Sequence, residues 1–150
     1  MRVAGVDAGQ KGAAALLIDG RFEHLTDLPI DDDRELDSHA FLHLLLGWEP
    51  DLVVVEDTFR PKVTVRFVGE VVAVCKVLQV ERLVVPVVSW KKRVLGQNTG
   101  NKTVSVRRCR ELFPEADLVR PRGKKPSDDR AEAILLAYYG SELRGGGTRK

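Results

Sequence analysis

The sequence predicts an α/β domain built on a mixed sheet. Three observations carry this. The chain opens with β-type runs joined by tight turns: Arg2–Asp7 (RVAGVD), Gly12–Ile18 (GAAALLI) and Arg21–Leu28. The segment Leu52–Glu56 (LVVVE) is almost continuously apolar, the pattern of a strand covered on both faces and hence of a central parallel strand. Beyond it, helix-length and strand-length segments alternate, as in strand–helix–strand connections.

Each element has its own local signal. Ala8-Gly9-Gln10-Lys11 reads as a turn, and Asp19-Gly20 is a strong hairpin turn. The first three strands therefore form an antiparallel meander. An acidic loop spans 31–37. Asp37 or Ser38 can cap a helix running to about Trp48, with Phe41, Leu42, Leu44 and Leu45 on its apolar side, ended by Pro50. Val63–Val80 is a long helix despite its valines. Lys62, Arg66, Gly69, Glu70 and Lys76 share an arc of roughly 120°, and nearly all the rest is apolar. Such a helix needs cover on two sides, its own sheet and something else, and a second copy of the chain is one candidate. Arg82–Val88 reads as a fifth strand whose Pro86 marks an edge or an end. Ser89 is placed to cap a short helix through Leu95. Residues 96–100 form a loop, and Lys102–Leu112 is a helix ended by Pro114. A basic, proline-containing loop follows, and Ser127 caps a last helix, Asp128–Leu143. The expectation is one domain over 1–143 and a flexible tail, RGGGTRK, over 144–150.

Composition fits an ordinary globular domain. The 150 residues are 43% hydrophobic and 31% charged, which excludes a disordered or collagen-like chain. No apolar run approaches the roughly 20 residues that span a bilayer, and the N-terminus lacks a secretory pattern. Cys75 and Cys109 are far apart and outside any CxxC motif, which argues against a zinc cluster and for a reducing, cytoplasmic setting. Asn, Gln and Met are scarce, a weak thermophile signal. The net charge of +2 hides an asymmetry. Residues 1–75 carry 7 basic and 14 acidic side chains, and residues 76–150 carry 17 and 8. Lys91-Lys92-Arg93, Arg107-Arg108, Arg110 and the run 120–125 (with Arg122, Lys124 and Lys125) are a plausible footprint for a polyanion.

The informative acids sit at the ends of elements. Asp7 closes the first apolar strand and Glu56 the buried one. On parallel neighbours both emerge at the carboxyl edge, where such sheets place ligands. A carboxylate there is costly unless paired, solvated or metal-bound. In SDDRAEA, Asp129 and Glu132 are i,i+3 and Asp128 and Glu132 are i,i+4, so either pair shares one helix face. Four such carboxylates match a two-metal nuclease centre, for which two magnesium or manganese ions are the expected cations.

These residues carry a resemblance. GVDAG around Asp7, VVVED around Glu56 and DDRAEAILLA around Asp129 and Glu132 resemble, in order and spacing, the RuvC family of Holliday-junction resolvases on the RNase H-like fold. The likeness spans roughly 1–140, and the compact length resembles the phage-type branch. It implies a five-stranded mixed sheet of order 3-2-1-4-5 flanked by helices. It further implies a homodimer through helix 63–80, and paired symmetrical nicking of four-way DNA junctions that leaves 5′-phosphate and 3′-hydroxyl ends. Asp7, Glu56, Asp129 and Glu132 take the positions of the family's metal ligands. The last is Glu where the family has Asp, which leaves Asp128 as an alternative ligand. Lys102 resembles a basic residue near the scissile phosphate, suited to stabilising charge in the transition state. Phe59 resembles an aromatic that enters the junction core; it either stacks on bases or caps the core beside Pro61. Arg60 and Lys62 flank it, and with Lys91, Lys92, Arg122, Lys124 and Lys125 are candidate DNA contacts.

Other residues have plainer readings. His39 and His43, i,i+4 on a helix, read as surface histidines, and Trp90 as a half-buried anchor. Glu70 lies in the dimer helix, and no role is assigned to it. Three rivals remain: a hydrolase of RNA–DNA hybrids, a non-catalytic junction-binding module, and an ATP-binding domain of the actin-like fold. The last needs two such domains.

Overall fold

The computed structural model describes residues 1–57, 63–96 and 101–145. Five strands, β1 (Arg2–Asp7), β2 (Ala13–Ile18), β3 (Arg21–Asp27), β4 (Leu52–Asp57) and β5 (Glu81–Pro86), form one sheet in the order β3-β2-β1-β4-β5. β1 pairs antiparallel with β2 and parallel with β4. The fold expected from the resemblance is the one observed. Asp19 and Gly20 make the expected turn between β2 and β3, both at positive φ.

Helices α1 (Ser38–Trp48) and α2 (Val63–Leu78) cover one face; α3 (Val87–Leu95), α4 (Lys102–Leu112) and α5 (Asp128–Arg144) cover the other. Strand alternation decides which residue meets which layer. Val3, Leu52 and Val54 pack with Ile134 and Ala137 of α5, while Ala4, Val6, Val53 and Val55 pack with Phe41, Leu45, Phe67 and Val71 of α1 and α2. Asp7 and Glu56 continue the first set, so both belong to the α5 layer.

Gly5 lets α5 come close. A Cβ there would stand 2.1 Å from the Ala133 carbonyl oxygen and 2.4 Å from the Ala137 nitrogen. Both atoms are backbone and cannot rotate away. α5 therefore rides directly on β1, with its first turn beside Asp7.

Several boundaries differ from the sequence reading. β5 ends at Pro86, and α3 starts at once at Val87, so Val87 and Val88 are helical. Pro86 itself takes the N-cap position of α3 without a side-chain cap bond; Ser89 lies inside the helix. Proline fits here because its fixed φ suits a helix entrance and its missing N–H ends the ladder. α2 ends at Leu78, before Gln79 at φ 56°. Asp37 caps α1 and Ser127 caps α5. The expected tail begins within α5, which runs to Arg144, and 146–150 lie outside the described residues. Phe59, Arg60 and Lys62 also lie outside them.

Candidate active site

The site is built at the carboxyl edge of β1 and β4. Val6 is in register with Val55, so Asp7 and Glu56 follow one step further on neighbouring strands and on one face. Across the antiparallel side, Asp7 pairs with Ala13 and Ala13 with Asp27. Asp27, a residue the sequence reading did not single out, therefore extends the same row. The turn after Asp7 folds back tightly: a Cβ on Gly12 would meet the Asp7 carbonyl oxygen at 2.1 Å.

α5 brings the other acids over this row. The Asp7 carboxyl is held well above its ordinary value of 3.8. Loss of surrounding water is the largest cause, followed by the charges of Asp129 and Glu132, a hydrogen bond with the Asp129 side chain, and the charge of Glu56. Glu56 is also raised. Burial pushes it up and the Glu132 charge adds to this, while a hydrogen bond from Trp90 and the Lys91 charge oppose. The four acids named from the sequence thus converge on one electrostatic centre.

Glu56, Glu132 and Asp129 are also engaged by donors of the chain. Trp90 Nε1 donates to Glu56 Oε2 at 2.6 Å. Lys91 Nζ stands 2.9 Å from Glu132 Oε1, with both side chains 13% exposed, and Ser105 Oγ donates to the same oxygen at 3.0 Å. Burial works against the Lys91 charge, but the Glu132 partner wins and its pKa is raised. Arg120 bridges Asp129 at 3.3 Å and Asp27 at 3.0 Å, and also donates to the Lys11 carbonyl. Lys102 Nζ lies 3.4 Å from Asp128 Oδ2. Asp129 therefore faces Asp7, and Asp128 faces Lys102.

Arg130 does not relieve the acids at the start of α5, although it follows them directly in sequence. Its Nε binds Asp27 at 2.8 Å, and its Nη1 donates to the carbonyls of Asp117 and Val119 at 3.1 and 3.0 Å. It pins the loop before α5 to the sheet. The relief comes instead from Arg120, Lys91 and Lys102. These pairings join residues far apart in sequence, so no local pattern announces them.

Trp90 is fully buried rather than half-buried. Pro86 explains this: because α3 leaves β5 without a loop, its first turn drops beside Glu56. Lys91 consequently points into the cluster. Lys92 is exposed, as are Arg122, Lys124 and Lys125. Among the described residues no three acidic, histidine or cysteine groups already close on one metal-holding point. The donor set is nonetheless the one hard divalent cations take, carboxylate oxygens alone, and its crowded negative charge fits a cation. Asp7, Glu56, Asp129 and Glu132 are the residues that could hold it. His39 and His43 sit exposed on α1, edge to face at 4.6 Å, apart from this cluster. Cys75 and Cys109 are free, with burial pushing their thiols up to about 11 and about 12. No helix among the described residues is long and apolar enough to cross a membrane.

Known structures share this architecture. The RuvC of T. thermophilus in complex with Holliday junction substrate is similar over 97% of this chain and 96% of its own, with TM-score 0.72 and 20% identity. A further Thermus thermophilus RuvC structure covers 97% of both chains at TM-score 0.71 and 20% identity. The Fowlpox virus resolvase complexed with Holliday junction DNA matches 94% of this chain and 99% of its own, with TM-score 0.64 and 16% identity. No family model and no curated protein matches the sequence. The likeness establishes the RuvC-like, RNase H-like fold.

Proposed function

We propose that this chain is a divalent-metal-dependent endodeoxyribonuclease that resolves four-way DNA junctions by paired nicks. The observation that carries the proposal is the convergence of Asp7, Glu56, Asp129 and Glu132 at the carboxyl edge of the two central parallel strands. It is supported by the fold, which is that of resolvases solved with junction DNA.

Asp7 and Glu56 form the floor of the site, and Asp129 and Glu132 its wall. When bound, magnesium or manganese ions supply Lewis-acid polarisation of the phosphate and ease deprotonation of the attacking water. The chain's own residues then have separate tasks. Lys91 and Arg120 hold Glu132 and Asp129 in place beside Asp7 and Glu56. Lys102, whose side chain is 78% exposed, stands at the rim, where it can meet a phosphate and offset charge that develops on it. The exposed Lys92, Arg122, Lys124 and Lys125 follow the backbone of the DNA arms. Phe59, Arg60 and Lys62 are proposed to meet the junction centre.

Two nicks on one junction require two sites. We assign the pairing surface to the outward side of α2, where Val65 is 52% and Val77 71% exposed and Val68 and Val72 are half-buried.

The test is nicking of an end-labelled synthetic four-way junction with magnesium and, separately, manganese, by wild type and Glu56→Gln. Linear duplex and RNA–DNA hybrid run alongside. Paired symmetrical cuts in the junction alone, lost in Glu56→Gln, are expected. Cleavage of hybrid without junction would replace this reading with a hybrid nuclease. Tight junction binding without cutting in either metal would leave a binding module.

A further inference from the structure

Trp90 lies at the centre of the site without being an acid or a cation. It is fully buried, and with the buried Val94 one turn on it anchors α3 in the core. An aromatic ring alone would fill that space. The indole adds one N–H donor, and a buried donor needs a partner. Its partner is not a backbone carbonyl but Glu56 Oε2, at 2.6 Å. The ring face carries the second relation, with Lys91 Nζ 5.2 Å from its centroid and that ammonium on Glu132. One buried side chain thus touches Glu56 through its edge and the holder of Glu132 through its face.

We propose that Trp90 is a positioning residue, whose indole N–H fixes the Glu56 carboxylate in one rotamer and presents its remaining oxygen to a divalent cation. This rests on the nuclease reading given above. A glutamate has three side-chain torsions, and among the described residues no other hydrogen bond holds the last of them. A donor rooted in the core removes that freedom before the cation arrives. Groups behind a metal ligand commonly change metal affinity about 10–100-fold when lost.

The experiment starts without metal. The chain has two tryptophans, so its ¹⁵N-labelled full-length form gives two indole N–H signals, assigned with Trp48→Phe. The Trp90 signal is expected far downfield, to move upfield in Glu56→Gln, and to shift saturably with magnesium while Trp48 stays put. Free-manganese electron paramagnetic resonance then gives affinities. Trp90→Phe, checked by thermal melting, is expected to bind manganese about tenfold more weakly, and to cause no further loss when added to Glu56→Gln.

A Trp90 signal that ignores Glu56→Gln overturns the proposal whatever the chain cuts. A folded Trp90→Phe that binds manganese like wild type also overturns it, and leaves the nuclease reading intact if wild type still nicks junctions. An equal loss in the wild-type and Glu56→Gln backgrounds assigns Trp90 to packing alone. If wild type neither binds manganese nor nicks DNA, the nuclease reading fails and this role falls with it. The metal-free signal separates that case from the first.

Discussion

β1 and β4 serve two layers at once. Residues Val3, Gly5, Leu52 and Val54 face α5 and lead up to Asp7 and Glu56, whereas Ala4, Val6, Val53 and Val55 face α1 and α2, a row that β4 ends with Asp57. The helices differ in the same sense. α5 is buried along most of its length, from Arg130 to Gly140. α2 buries one side and leaves Val65 and Val77 open. The period-two alternation therefore gives one layer the acids Asp7 and Glu56 beneath a buried helix, and gives the other a helix whose outer side leaves Val65 and Val77 exposed.

The sharpest way to break this contrast is to lift α5. Gly5→Ala drives a methyl into the α5 backbone, and overpacking of that kind costs about 3 kcal/mol where nothing can rotate away. Urea unfolding should show the midpoint falling steeply, with the site lost too. An unchanged midpoint would mean that the close approach of α5 to β1 is not what seats the acids. Asp7→Asn and Glu56→Gln come next, each expected to lower junction nicking by about 100-fold or more, because each removes a charge from the set proposed to hold the cations.

The same two substitutions should act oppositely on stability. The folded-state pKa values of Asp7 and Glu56 lie above their ordinary values of 3.8 and 4.5. The folded chain thus binds more protons than the unfolded one in that window. Stability contributed by these groups is fully present below their ordinary values and is lost as pH rises through the raised ones. Metal-free Asp7→Asn at pH 7 is expected to melt about 3 °C higher than wild type, the shift that roughly 1 kcal/mol produces in a chain of this size. Magnesium at about 100 times its dissociation constant should stabilise wild type by about 2.7 kcal/mol and Asp7→Asn far less. A wild type whose melting ignores both pH and magnesium would show that the four acids do not form one charged centre.

What was legible in the sequence follows the same division. Asp7 and Glu56 stood out because each ends an apolar run, and the spacing of Asp129 and Glu132 put both on one helix face. The strand order came from the resemblance, since β1–β4 pairing joins residues about fifty positions apart that no local pattern links. The supporting shell stayed hidden. Trp90–Glu56, Lys91–Glu132, Ser105–Glu132 and Arg130–Asp27 join separate elements. The direct passage from β5 into α3 was read as two more strand residues because Val87 and Val88 have strand propensity. Tertiary packing of Trp90 overrode that preference, and the same helix start sent Lys91 inward.

A smaller test uses the helix that carries no chemistry. Among the described residues, Gly69 of α2 has nothing within 4 Å of where a Cβ would stand, in contrast to Gly5. Gly69→Ala should stabilise the isolated chain by about 0.5–1 kcal/mol, since alanine loses less conformational freedom in a helix. Denaturation at low protein concentration measures this directly. A loss there would mean that the outer side of α2 is already covered within one chain.

The smallest effect on folding belongs to Val77, and it is the most informative about α2. Its side chain is largely exposed, so Val77→Lys should change the stability of the single chain by less than about 0.5 kcal/mol. Lys also suits the last turn, where a cation meets the negative helix end. If the open side of α2 is where two copies pair, however, the substitution places a charge in an apolar contact. Sedimentation should then show a dimer in wild type and a monomer in the variant, at matched melting temperatures. Junction nicking by the variant should lose its pairing, leaving single unlinked cuts from an intact acid cluster. A variant that stays dimeric and cuts in pairs would move the pairing surface elsewhere and reduce the apolar side of α2 to unused surface.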